Sequence, residues 1–266
     1  MFRLIDRFSE DIDLILDWRL LTATKPDAKR SRTQQDDLNE KIILKANDYL
    51  RKDMLSAVKE AVGGYCQAEI NGNDDEVIQI RYPGVFKDLY LRPDIRLEIG
   101  PLAGWIPHAE YIIVPYAAEE FPHLFSFAQC KVKAIKAERT FWEKATILHR
   151  EAFRSEKSKP PTHYSRHYYE LARMSRSLVK MEAFKDINLL KKVVEFKQRF
   201  YPCGWAKYEL AKPGTIRLLP PSYVEKVLRD DYEAMRIMVF GEYPSFDDIL
   251  KELRLLEGEI NNLGTP

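Results

Sequence analysis

Phe8-Ser9-Glu10-Asp11-Ile12-Asp13-Leu14-Ile15-Leu16 is the stretch on which the fold reading turns. From Asp11 to Leu16 it alternates, with Ile12, Leu14 and Leu16 on one side and Asp11, Asp13 and Ile15 on the other. Period-two alternation is the mark of a short half-buried strand. Residues i and i+2 of a strand lie about 6.6 Å apart on one face, so Asp11 and Asp13 share a face. Two carboxylates so placed can hold divalent ions, especially Mg²⁺, which favours a few carboxylates together with phosphate oxygens. Two such ions about 3.5–4 Å apart can clamp the attacking and leaving oxygens of a phosphoryl or nucleotidyl transfer. Taken alone, an Asp-x-Asp pair is more often just a solvated strand face.

A second strand signal supplies a third acid. In Pro93-Asp94-Ile95-Arg96-Leu97-Glu98-Ile99-Gly100 the apolar side is Ile95, Leu97 and Ile99, so Glu98 projects from the opposite side with Arg96 and Asp94. Beside the Asp11–Asp13 strand, Glu98 would complete a three-carboxylate metal site. The competing reading is an exposed cross-strand charge set of Glu98 and Arg96.

The rest of the first half fits a mixed α/β pattern. Asp36 to Val62 has helical periodicity, with Gly63-Gly64 as its stop. Tyr65–Ile70 and Glu76–Tyr82 flank a turn at Asn71–Asp75, predicting a hairpin with a five-residue turn. Leu89–Ile99 and Lys131–Ile135 are further expected strands. After Ala137 the pattern becomes helical, over Glu138–Phe153, Tyr164–Met181, Asp186–Phe200, Ser222–Val239 and Phe246–Leu256. The expected fold class is α+β: a small mixed sheet with helices, followed by a C-terminal helical region, the type of sheet being what the resemblance described below implies, a nucleotidyltransferase-type one. The expected division is residues 1–136 as an α/β core and 137–266 as a helical, basic region.

Charge is distributed along that division. Residues 131–217 hold 21 Lys and Arg against 9 Asp and Glu, a net +12, inside a chain of net charge +1. Such asymmetry fits a polyanionic partner for the basic part, or simply helices with solvated basic faces. The longest apolar stretch, Tyr111–Ala118, is interrupted by Pro115 and too short for a bilayer, so no membrane association is expected. Cys66, Cys130 and Cys203 show neither zinc spacing nor a disulfide pattern, and no leader opens the chain, which fits a cytoplasmic location.

Lys136-Ala137-Glu138-Arg139-Thr140-Phe141-Trp142-Glu143-Lys144-Ala145-Thr146-Ile147-Leu148-His149-Arg150, together with Arg7–Leu14, resembles the AbiEii/AbiGii toxin family of nucleotidyltransferases, of the DNA polymerase β-type superfamily. The resemblance extends to roughly Met174. It implies a Mg²⁺- or Mn²⁺-dependent transfer of a nucleotide from a nucleoside triphosphate to an acceptor, with tRNA as a candidate acceptor and a cognate antitoxin as partner. Asp11 and Asp13 match the paired metal ligands and Glu98 the third carboxylate. Lys144 matches the helix lysine that serves the phosphates or catalysis, and Ser9 and Arg166 are further phosphate-binding candidates. Arg166 falls on the arginine of an R-D-x-x-D-like motif in which His167 replaces the first acid and Glu170 the second.

One departure lies at the start, because the family's glycine-containing phosphate motif has no counterpart in Met1–Glu10. Met1–Arg7 is expected as a helix tail, and the chain is expected to be truncated before that motif. Two alternatives follow: an inactive relative acting as a binding protein, and a metal-dependent nuclease. The nuclease lacks its E-x-K pattern, since Gly100 stands where the lysine belongs.

Independently of the resemblance, Phe141, Ala145, Leu148 and Ala152 form the apolar stripe of the Lys136–Arg150 helix, with Lys144 at its margin. Arg139, Glu143 and Arg150 point farther out, towards solvent or i,i+4 partners. His149 is expected to be packed and hydrogen-bonded, and His163 and His167 to share a helix face. Tyr164, Tyr168 and Tyr169 are expected to be core residues or a stacking surface for a base.

Overall fold

The structure, a computed structural model, describes residues 4–9, 11–84 and 92–263. It forms two compact units, one of residues 7–104 and one of residues 1–6 with 105–266.

In the first unit, β1 (Asp11–Ile15) is followed by one long helix in two parts. These are α1 (Arg32–Tyr49) and α2 (Leu55–Val62), joined through a wider π-type turn at Leu50–Met54. Ser31 caps the helix in a reciprocal capping box with Gln34, which satisfies two otherwise unpaired N–H groups. Gly63, at φ +58°, ends it in a conformation that costs a glycine little. Strands β2 (Gln67–Asn71), β3 (Asp74–Arg81) and β4 (Asp94–Gly100) complete a four-stranded sheet of order β1-β4-β3-β2.

The β2–β3 turn is tighter than expected. Asn71 pairs with Asp74 across Gly72-Asn73, with a bulge at Ile70/Asn71 that absorbs the register change. Of the expected strand Leu89–Ile99, residues 89–91 lie outside the described residues, as do Met1–Arg3 of the expected helix tail. Residues 4–7 are not helical. One face of the sheet packs Ala68, Ile78, Ile80, Leu97 and Ile99 against Leu50 and the inner side of α1–α2. Each such buried side chain contributes on the order of 1.5–3 kcal/mol, which fixes which face of each strand is left to polar residues.

The second unit holds β5 (His108–Ile113) and β6 (Cys130–Ile135), an antiparallel pair linked through α3 (Tyr116–Glu120). These two strands precede residue 137 and yet belong to this unit rather than to the one containing the four-stranded sheet. Six helices follow: α4 (Ala137–Glu151), α5 (Ser165–Ser175), α6 (Leu178–Lys185), α7 (Ile187–Phe200), α8 (Ser222–Met235) and α9 (Phe246–Asn262). The helix expected over Tyr164–Met181 is two, because Ser177 accepts a hydrogen bond from the Val179 N–H and caps a new start.

α4 is central and packs against α5, α6 and α7. Phe141, Trp142, Ala145 and Leu148 are fully buried, and Phe184 stacks on Trp142 at 6.1 Å. The stripe of this helix is therefore wider than its sequence suggests. Arg139, expected to face outward, is buried, pairs with Glu143 at 2.8 Å and donates to the Ile106 carbonyl.

Candidate functional site

Two constellations carry the candidate residues, one in each unit. On the sheet, β1 runs parallel to β4 with Asp11 beside Arg96 and Asp13 beside Glu98. The alternation that sends Leu97 and Ile99 into the core sends Asp11, Asp13, Arg96 and Glu98 to the other face. The parallel register thus brings all three expected metal-binding carboxylates onto one face of two adjacent strands.

Their side chains are engaged locally. The Ser9 hydroxyl donates to the Asp11 carboxylate at 2.7 Å, and Arg96 pairs with Glu98 at 3.3 Å. Among the described residues no three His, Cys, Asp or Glu side chains are gathered closely enough to hold a metal ion. The donor chemistry itself suits a hard divalent cation, since all three groups are carboxylates on strands one sheet spacing apart, about 4.8 Å.

In the helical unit, Lys144 on α4 meets α5. Its ammonium lies 2.5 Å from the Glu170 carboxylate and 3.2 Å from Nδ1 of His167. Glu170 is almost wholly buried, so its charge depends on this partner. Burial, followed by the charge of Lys144, pushes the His167 imidazole down to about 4. A neutral ring then accepts from Lys144 at Nδ1 and carries its proton on Nε2. The two positions of the weak R-D-x-x-D-like match, His167 and Glu170, are therefore the groups that hold Lys144. Arg166 lies on the same helix, partly buried.

Lys197, on α7, is a residue that sequence analysis missed. It continues the buried stripe Leu190, Val193 and Val194, and its ammonium donates to the Glu143 carbonyl at 3.1 Å. Burial, opposed by Glu143 and reinforced by Arg150, Lys144 and Arg139, pushes it down to about 7. A lysine at the i+7 place of an apolar stripe was the available signal.

Three other expectations meet different outcomes. His149 is packed and hydrogen-bonded as expected: its Nδ1 accepts from the Arg217 N–H and Nε2 meets the Lys207 carbonyl, both at 3.0 Å. His163 does not share a helix face with His167, because α5 starts at Ser165 and His163 sits before it at φ +62°. Asp231 holds that start, accepting from the N–H groups of His163 and Ser165 at 2.6 and 2.9 Å. Tyr168 and Tyr169 are buried in the core and cannot stack on a base, while Tyr164 packs under Arg150.

A mixed sheet with acidic residues on its outer face, in a chain with a helical unit built around a lysine–carboxylate pair, defines an α+β protein with an enzyme-like concentration of charge. The family profile described as nucleotidyl transferase AbiEii toxin, type IV toxin–antitoxin system, matches residues 1–252. The chain belongs to that family and is a nucleotidyl transferase toxin. No curated protein and no solved structure matches it significantly. Among the described residues no helix is long and apolar enough to cross a membrane.

Proposed function

We propose that the transfer depends on Mg²⁺ or Mn²⁺ held by Asp11, Asp13 and Glu98, and moves a nucleotide from a nucleoside triphosphate to an RNA acceptor such as tRNA. The observation that carries this reading is the β1–β4 register, which aligns Asp13 with Glu98 and keeps Asp11 on the same face. When bound, the ion lowers the charge on the phosphates and orients them. For Glu98 to take part, its carboxylate turns from Arg96 to the ion, a small cost because both side chains are partly exposed. Ser9 orients Asp11 and can turn its hydrogen bond to a phosphate oxygen once that carboxylate is engaged. In the helical unit, Lys144 and Arg166 are the phosphate-binding candidates, and Glu170 with His167 sets the direction of the Lys144 ammonium.

The basic stretch 131–217 supports the RNA acceptor, because phosphate neutralisation dominates such affinity. A cognate antitoxin partner follows from the family, and a cytoplasmic setting is part of the same reading. Incubation with labelled nucleoside triphosphates, Mg²⁺ and total small RNA tests it. RNA lengthened by labelled nucleotide is the expected result. Shortened RNA would favour a nuclease, and unchanged RNA a binding protein.

A further inference from the structure

The C-terminal end of α4 carries Arg150, Phe153 and Arg154, and the chain returns to this end twice, at residues 204–210 and at Arg217. His149 is the clamp for both returns, through its bonds to the Lys207 carbonyl and the Arg217 N–H. Trp205 lies in the first return, two residues before Lys207, and against the helix end in space. The Arg154 and Arg150 guanidiniums sit 5.0 and 5.9 Å from its ring centroid. Both guanidiniums are fixed by Glu151, at 2.5 and 3.0 Å, and Arg154 is buried, so the cations back the indole from the protein side. Trp205 nonetheless remains 41% exposed.

Exposed cations stand on the segments held to this helix end. Arg154 donates to the Lys159 carbonyl at 3.2 Å, which fixes the Ser155–Lys159 loop at this end, and Lys159, Lys207 and Arg217 are all exposed. The Arg217 guanidinium lies 5.0 Å from the Phe153 ring. The exposed acids on these segments are Glu156 and Glu209, while Glu151 is buried between its two arginines.

A large exposed ring held by cations, with exposed lysine and arginine on the segments beside it, matches what unpaired bases need. Every base has a π face to stack, and every link between bases has a phosphate to neutralise. A duplex hides those base faces inside its stack.

We propose that Trp205, backed by Arg150 and Arg154, is a stacking platform for an unpaired base of single-stranded RNA, with Lys159, Lys207 and Arg217 taking the neighbouring phosphates. This rests on the RNA-acceptor reading above and adds where that acceptor is gripped.

The probe is an unstructured RNA of about 12 nucleotides, followed by anisotropy and by tryptophan emission. The wild-type chain should bind it, quench on binding, and bind a duplex of equal charge more weakly. Trp205→Ala should weaken single-strand binding about ten-fold or more. The chain has four tryptophans, so Trp205→Phe assigns the signal. It should keep affinity within about three-fold, since a phenyl ring still stacks, and lose most of the quench. This second variant carries the test if the alanine variant does not fold.

An unchanged quench in Trp205→Phe, or equal affinity for duplex and single strand, would overturn the platform while leaving the acceptor reading standing. Failure of the wild-type chain to bind any RNA would overturn both.

Discussion

The outer face of the four-stranded sheet and the α4–α5 contact both concentrate charge, and they do so under opposite physical conditions. Asp13 on the sheet is exposed, and the Glu98 side chain keeps 37% of its surface in water. Water and neighbours such as Ser9 and Arg96 carry these charges, so each carboxylate can exchange partners at little cost. On the helices, the side chain of Glu170 keeps 3% of its surface. An ionised carboxylate there is balanced chiefly by the Lys144 ammonium facing it, and losing that charge leaves a costly buried acid. The sheet face is thus suited to accept a ligand, and the helical pair is part of what holds its unit together. A boundary lysine that a sequence would let one truncate freely is, in this fold, the counter-ion of a buried acid.

The largest expected effect tests the sheet side of that contrast. Asp13→Asn should lower nucleotidyl transfer on the order of 1,000-fold, as expected for a lost ligand of a charge-stabilising ion. Its melting temperature should stay within about 2 °C of wild type, because the residue is exposed. Activity assays and thermal melts on the same preparations check this. A fall of many degrees with activity loss in proportion would erase the difference between the two regions.

The helical side should behave in the reverse way. Glu170→Ala and Lys144→Ala should each destabilise the chain by roughly 3 kcal/mol, read as a lower midpoint in urea denaturation. Replacing both at once, Lys144→Met with Glu170→Leu, should recover a good part of that loss, since apolar residues can substitute for a buried pair. Single variants with unchanged midpoints would show that the pair is not structural, and Lys144 would then be a simple surface lysine.

The smallest effect sharpens the comparison through pH. The folded His167 is held down to about 4, against an ordinary value near 6.5. Between those values the unfolded chain binds a proton that the folded chain refuses. Stability from this group is therefore full above about 6.5 and is lost as pH falls towards 4. The total is on the order of 3 kcal/mol. His167→Gln should show a shallower decline across that window, measured by urea midpoints at several pH values. Parallel declines in the two proteins would place His167 in water rather than beside Lys144.

Much of this arrangement was legible beforehand because it depends on short-range periodicity. Alternation at Asp11–Leu16 and Ile95–Ile99 located the two strands but overstated their apolar side: Leu14, Leu16, Leu97 and Ile99 pack inward, whereas Ile12 and Ile95 stay exposed. Ends were less legible. The two-residue turn at Gly72-Asn73 was hidden by a run of turn-forming residues in which several registers look alike. The break at Ser177 rests on one side-chain cap, a signal that many serines carry without using it. The buried character of Arg139 and Glu170, and the desolvation of the partly buried Lys197, were not legible at all, because charged residues are placed outside by default unless the partner is known.

What the sequence determined by itself is the α+β class, the position of the acidic pair on an early strand, and the concentration of positive charge in residues 131–217. All three are local sums over neighbouring residues. Only the tertiary structure decided that β1 pairs in parallel with β4 and sets Asp13 beside Glu98, eighty-five positions along the chain. It alone decided that Lys144 would face Glu170, and that Trp205 would lie against Arg150 and Arg154. The reason is common to all of them. Pairing register and buried ion pairs are settled by which surfaces exclude water together, and that choice belongs to the packed chain rather than to any stretch of it.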